Sequence, residues 1–480
     1  MRRTMLAFSA LALAVGCNPL DFRSTLDRAP VQYIGAPDNF GSNVGRTLLS
    51  LAPPADKPKV AARLLFASTD MQALAVADFD GDGNPQVQTA ESDDLSTLGL
   101  SPGQGGISSA AWLSGPGAAG TVVLGMPDVY GTQGQGTPNG RVGFLNLVAD
   151  ASGKVDFESA HIWQDGAITG GAFFTQPQGH FGLAVARGQV TQTASDEAVV
   201  VSDNGVSVLN VTAGLLASTT CTGNLQTPPD LHRSLAVANF LSSGNQQIAV
   251  GLPVKGGVGQ VFILQYDPVA AELVCVGSPI GVPAPVGNPS VGGFGTALVA
   301  VPDMNGDGLA ELVVGAPPNQ AYLFYSPFDG STPAKVFSKV VLDPVSGKPQ
   351  LDPKTGQPQP DTSSEFGQRV ALVDVDGDGV KELVITALQA NVGNTQKAGQ
   401  VLVYRLNGDG TTPIAVVDDS NPTGSTEFFG IGLADLEFNS SRACAKGKDA
   451  HLLVAGADAG IFTFFRFPGS AADPRCFAQK

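Results

Sequence analysis

The stretch FGTALVAVPDMNGDGLAELVVGAP, Phe294–Pro317, decides the fold. It opens on Phe-Gly, runs as an alternating apolar segment, breaks at an acidic glycine-containing loop, and resumes as a second apolar run ending Gly-Ala-Pro. Two short apolar runs around a turn-rich loop predict a hairpin of strands. Within the loop, Asp303, Asn305 and Asp307 place side-chain oxygens at alternate positions. Gly308 permits the sharp turn, the carbonyl of Leu309 adds a donor, and Glu311 closes the set. Carboxylates this close repel one another unless a cation stands between them, so the spacing predicts Ca2+.

The unit recurs along the chain. A second copy, FGQRVALVDVDGDGVKELVITAL from Phe366, offers Asp374, Asp376, Asp378, the carbonyl of Val380, and Glu382. A third, LAVADFDGDGNPQVQTAES from Leu74, lacks Phe-Gly and offers Asp78, Asp80, Asp82, the carbonyl of Asn84, and Gln86. Gln86 replaces a carboxylate and Pro85 stiffens the turn, so weaker binding is expected there. Weaker copies without the acidic loop begin at Phe181, Leu235 and Phe429. Several units add a strand opening on Gly, at Gly140, Gly259 and Gly399. EF-hand loops share the opening but need Glu at the twelfth position, where this chain has Val314, Ile385 and Thr89 between strand-like flanks.

Such units bury their faces only against each other, which is the logic of propeller blades. They resemble FG-GAP repeats, the blades of the integrin α-subunit propeller and of many bacterial surface proteins. The resemblance implies an all-β fold, a seven-bladed β-propeller over residues 30–470, with eight blades as the alternative. Units are expected near Leu74, Phe181, Leu235, Phe294, Phe366 and Phe429, with Val31–Pro37 and Gly45–Ala52 as inner strands of another. The run at Thr121 then belongs to the Leu74 unit or heads its own. Ring closure is expected to combine N-terminal and C-terminal strands in one blade.

Composition agrees with many short strands. The 480 residues include 60 Gly and 34 Pro, which break helices and supply turns. A net charge of −16 with no basic run argues against nucleic acid as a partner.

Arg2 and Arg3 precede the apolar run Met5–Val15, too short to span a bilayer, which predicts an export signal over residues 1–16. Its end, Leu13-Ala14-Val15-Gly16-Cys17, resembles the lipobox of bacterial lipoproteins, with Ala14 where Leu is usual. The resemblance implies cleavage before Cys17, lipidation there, a tether over residues 17–29 and an outer-membrane location. Ordinary secretion is the alternative. The remaining cysteines, Cys221, Cys275, Cys444 and Cys476, predict two disulfides in an exported chain. Of three possible pairings, Cys444–Cys476 is expected because both lie near the C-terminal end and the bridge would tie down the tail at 471–480, leaving Cys221–Cys275.

No catalytic motif is present: neither HExxH, GxSxG nor a phosphate-binding glycine loop occurs. His161, His180, His232 and His451 are scattered, and Trp112 and Trp163 are expected to pack. The expectation is therefore no enzyme but a calcium-stabilised, membrane-anchored binding module for a protein or glycan. An envelope enzyme acting on polysaccharide at the channel mouth and a structural envelope protein are the alternatives. Insertions at Asp93–Gly120 and Asp343–Ser364 are candidate binding loops or linkers.

Overall fold

The computed structural model describes residues 32–34 and, apart from several loops, 45–465. Residues 1–31, 35–44 and 466–480 lie outside the described part, as do 82–84, 91–105, 220–233, 376–378 and 439–449 among the loops. The expectations for Cys17, Asp82, Asn84, Cys221, Asp376, Asp378, Cys444 and Cys476 therefore fall outside it.

The short apolar runs form antiparallel strands, gathered into seven sheets among the described residues. The first sheet holds β2 (Thr47–Leu51), β3 (Ala62–Ala67), β4 (Leu74–Phe79) and β5 (Pro85–Ala90). The second holds β6 (Ser109–Leu113), β7 (Thr121–Met126), β8 (Arg141–Ala149) and β9 (Val155–Gln164). The third holds β10 (Ala184–Gly188), β11 (Glu197–Ser202), β12 (Gly205–Asn210) and β13 (Gly214–Ser218). In the fourth, β14 (Ser234–Ala238), β15 (Gln247–Leu252), β16 (Gln260–Asp267) and β17 (Glu272–Cys275) are joined by the short β18 (Ile280–Gly281). The fifth holds β19 (Ala297–Val301), β20 (Glu311–Ala316), β21 (Gln320–Phe324) and β22 (Lys335–Ser338). The sixth holds β23 (Phe366–Val373), β24 (Glu382–Ala387), β25 (Gln400–Tyr404) and β26 (Ala415–Val417). The last combines β27 (Leu433–Phe438), β28 (Ala450–Gly456) and β29 (Phe462–Phe465) with β1 (Gln32–Ile34), from the other end of the chain.

First strands touch in a cycle: β2 meets β6, then β10, β14, β19, β23 and β27 follow, and β27 returns to β2. The apolar cores follow the same cycle, each shared between two neighbouring sheets. One joins Val199 and Val208 to Ile248 and Phe262, for example, and another joins Leu64 and Phe66 to Leu436 and Val454. No sheet has a core of its own, so each depends on both neighbours. This is a β-propeller. The second strand of a sheet, fully covered on both faces, reads as a continuous apolar run: Leu312 to Ala316 is buried throughout.

Close packing between sheets explains Phe-Gly and Gly-Ala-Pro. Phe181, Phe294, Phe366 and Phe429 are fully buried. The glycine after Phe366, Gly367, has φ +96°, a conformation costly for other residues. Its carbonyl faces Gly315 of the preceding sheet, where an added Cβ would sit 2.1 Å from that oxygen. The same contact recurs for Gly251 against Gly295 and for Gly125 against Gly182. At the seam it joins Gly456 to Gly45.

Two boundaries expected from sequence are corrected. The Leu74 run does not begin a unit; it is the third strand of the sheet that starts at Thr47. The Thr121 run does not belong to the Leu74 unit but, as the alternative had it, to a unit of its own, whose first strand β6 lies inside the supposed insertion Asp93–Gly120. Trp112 on β6 packs on the apolar core between the first two sheets. The second insertion is neither linker nor open loop. Leu342 pairs with Pro349, Leu351 with Pro358, and Val340 with Pro360, so the described parts of the near-duplicate segments LDPVSGKPQ and LDPKTGQPQ pair within one arm. Lys339 closes its base with an ion pair to Asp361 at 2.5 Å.

Candidate functional site

Two regions carry the polar chemistry, at opposite ends of the first strands. The acidic loops follow the C-terminal ends of β19 and β23, and a cavity lies where β23 begins.

In the loop after β19, Asp303, Asn305 and Asp307 are all exposed. The Asp303 carboxylate accepts the backbone N–H of Gly308 at 2.8 Å and of Gly306 at 2.7 Å. These two donors, Gly308 first, hold its pKa below the ordinary carboxylate value, so it stays ionised. Asn305 Oδ1 accepts from Asp307 N–H at 2.9 Å, and Asp307 Oδ1 from Leu309 N–H at 2.8 Å. The loop is thus folded around its own side-chain oxygens. Gly379 N–H repeats the Gly308 contact, reaching Asp374 Oδ2 at 2.9 Å in the loop after β23.

Glu311 and Glu382 stand elsewhere than the spacing implied. Glu311 is fully buried at the start of β20, where its carboxylate accepts Met304 N–H at 3.1 Å and Ser326 N–H at 3.0 Å. Glu382 is 2% exposed and accepts Val375 N–H at 3.1 Å. Sheets without an acidic loop do the same. Gln247 takes Phe240 N–H at 2.7 Å and Leu241 N–H at 2.9 Å, and Glu197 takes Val190 N–H at 2.8 Å and Thr191 N–H at 2.9 Å. A buried acid or amide opening the second strand therefore ties down the loop before it, with or without a cation. The signal was legible: Glu or Gln stands immediately before each apolar run of EAVVV, QIAV, ELVV and ELVI.

This predicts that Glu311→Ala, which strands the buried Ser326 N–H and the half-buried Met304 N–H, lowers stability by about 2–3 kcal/mol. Because the bonds are internal, the loss should persist with EDTA; a loss confined to calcium-containing buffer would assign Glu311 to the cation instead. Denaturant midpoints measure it.

The third loop differs again, because it joins the third and fourth strands of its sheet. Asp78 is 5% exposed and is clasped by Arg63, its cross-strand partner, through Nε at 2.6 Å and Nη2 at 2.9 Å. Lys57 stands 3.8 Å from the same carboxylate. A guanidinium thus supplies the positive charge that the spacing had reserved for a metal, and Gln86 is exposed. Among the described residues, no three His, Cys, Asp or Glu side chains gather as a cation cluster. The donors of the loop after β19 nevertheless fit a hard cation: they are oxygens, exposed, and include a carboxylate held ionised.

Comparison with known proteins agrees with the hairpins. The family model described as FG-GAP repeat matches residues 294–325 and 366–404, in the fifth and sixth sheets. These two stretches are FG-GAP repeats. The chain is also 25% identical over 181 residues, 38% of its length, to integrin alpha-4 of Xenopus laevis, and spans only 15% of that protein. A solved structure titled "Crystal structure of BBS1N in complex with ARL6DN, soaked with mercury" aligns over 93% of this chain and 99% of that one, with a TM-score of 0.47 and 12% identity. That likeness is too loose to carry an argument. Both matched FG-GAP repeats contain an Asp-rich loop and the buried Glu behind it.

His180 lies just before Phe181 and pairs with Asp203 at 2.5 Å, a contact that fixes the turn into the third sheet. A polar groove of about 300 Å³ opens between the loops of the third and fourth sheets, lined by Gln189, Thr191, Asn239, Asn245 and Gln246 among others. Asn239 Oδ1 there is buried without a hydrogen-bond partner. Cys275, at the end of β17, is disulfide-bonded. Two residues before it, Leu273 pairs with Thr219 of the preceding sheet, which brings that chain segment alongside.

Proposed function

We propose that this chain is an interaction module: a seven-bladed FG-GAP propeller, braced by calcium, that presents its loops to a protein or glycan. The observation that carries the reading is the pair of FG-GAP repeats together with the partial likeness to an integrin α-subunit. The closed cycle of seven sheets supports the blade count. The groove lined by Gln189, Thr191, Asn239, Asn245 and Gln246 supports ligand capture, since its amides and hydroxyl offer donors and acceptors to a polar ligand.

Calcium belongs to the scaffold in this reading. Asp303, Asn305, Asp307 and the Leu309 carbonyl would hold one ion, and Asp374, Asp376, Asp378 and the Val380 carbonyl another. The ion would neutralise like charges that the bare loop must otherwise keep in water. The proposal does not extend to the Asp78 loop, whose first carboxylate already has Arg63. Calorimetry in calcium and in EDTA tests it: a melting temperature several degrees higher in calcium is expected, abolished by Asp303→Ala with Asp374→Ala. Equal melting temperatures would remove the metal from the proposal.

Export, lipidation at Cys17 and an outer-membrane anchor complete the proposal, with Cys221–Cys275 and Cys444–Cys476 as its disulfides. The charge-hydrophobic-Cys pattern at the N-terminus supports the anchor. The functional test is capture: the mature chain, immobilised, should retain a protein or glycan from a glycan array or a surface extract. Turnover of polysaccharide without retention would favour the enzyme alternative.

A further inference from the structure

The cavity at the start of β23 has a charge pattern that the binding-module reading does not absorb. About 270 Å³ in volume, it lies between the sixth and last sheets and reaches Arg46, just before β2. Arg46 Nε is buried there with no hydrogen-bond partner. A second guanidinium stands beside it. Arg369 on β23 donates to the carbonyls of Ile431 and Gln368, two residues of the cavity wall. Burial, and then the positive charge of Arg46, push the Arg369 pKa down to about 10. Two like charges thus stand near one another at the cavity, one with an unused donor.

The remaining wall is mixed. Gln368 and Gln389 bring amides, and Leu388, Phe428 and Ile431 bring apolar surface. Glu365 is the acid in the wall. Its pKa is raised by burial, with Lys397 opposing, and it sits at φ +54°. Arg46 is half-buried, but its buried N–H without a partner is costly, and an oxyanion bonded to the guanidinium offsets both that cost and the repulsion from Arg369. Amides and a carboxyl group suit hydroxyls, and an apolar strip suits the C–H face of a ring.

We propose that this channel-mouth cavity binds a carboxylate-bearing sugar, a uronic acid unit, with its carboxylate on Arg46 beside Arg369 and its hydroxyls on Gln368, Gln389 and Glu365. This deepens the interaction-module reading and rests on it. The site lies at the opposite end of the first strands from the acidic loops, so cation and sugar bind without sharing ligands.

Isothermal titration of the mature chain with glucuronate, glucose and sulfate tests the site. Glucuronate should bind, glucose should not, and sulfate should compete. Arg46→Ala should weaken glucuronate about tenfold or more. Arg46→Lys, which keeps the charge but loses the planar fork, should recover only part of it. Arg187→Ala, outside the cavity and half exposed on β10, should bind as the parent does. Equal binding of glucose, sulfate binding without glucuronate, or glucuronate binding unchanged in Arg46→Ala with an unaltered melting temperature would each overturn the site. Capture of a protein or neutral glycan unaffected by Arg46→Ala would overturn the uronate site and leave the interaction module standing.

Discussion

Arg63→Ala is expected to destabilise the chain by about 3 kcal/mol, because it leaves Asp78 buried with its nearest charge removed. Lys57, 3.8 Å away and more exposed, compensates for part of the loss, which keeps the figure at the lower end of the range for broken buried pairs. Replacing both partners together with apolar residues of similar size should restore most of the stability, since no orphaned charge is left. Denaturant titrations of the single and double variants measure both values. The loss should be the same in calcium and in EDTA. A loss that calcium reverses would mean that Asp78 takes a cation once Arg63 is gone.

Gly315→Val should cost about 3 kcal/mol, near the upper end for overpacking. The new Cβ would meet the carbonyl of Gly367 at 2.1 Å and the Ala297 methyl at 3.2 Å, and the first of these is backbone that cannot swing aside. Relief requires the fifth and sixth sheets to part, which opens the core containing Val313, Phe337, Phe366 and Ile385. Limited proteolysis should then cut between those sheets, and the denaturation midpoint should fall. A valine tolerated within about 0.5 kcal/mol would show that the sheets slide past one another freely.

Much of this architecture was legible residue by residue. Phe-Gly and Gly-Ala-Pro mark where neighbouring sheets approach most closely, so they announce strand order as well as strand identity. The Asp303 and Asp374 loops lie between first and second strands as their flanks implied. The Asp78 loop has the same local spacing but joins the third and fourth strands of its sheet. What distinguishes it is Arg63, a cross-strand partner fifteen residues upstream, and hairpin pairing is not visible in a local motif. Strand β6 was hidden for a related reason: its alanines and serine look like loop until β7 covers them. Glu311 and Glu382 were visible as acids, but their role needed burial to be known. The two arginines of the channel mouth, Arg46 and Arg369, come from distant parts of the chain, and only ring closure sets them side by side.

The strand Gln32–Ile34, paired with Phe462–Phe464, has a consequence for how the chain is made. The strand Gln32–Ile34 can find its partner only after Phe462–Phe464 has emerged, and closing so long a loop is entropically late. Until then the growing wheel has two raw ends, one at the Gly45 side and one at the newest sheet, each exposing a face meant for a neighbour. A chain cut short before Phe462 keeps both ends open and offers them to other copies. Completion of the ring therefore waits on Phe462–Phe464, and termination before that strand should yield aggregates rather than smaller wheels.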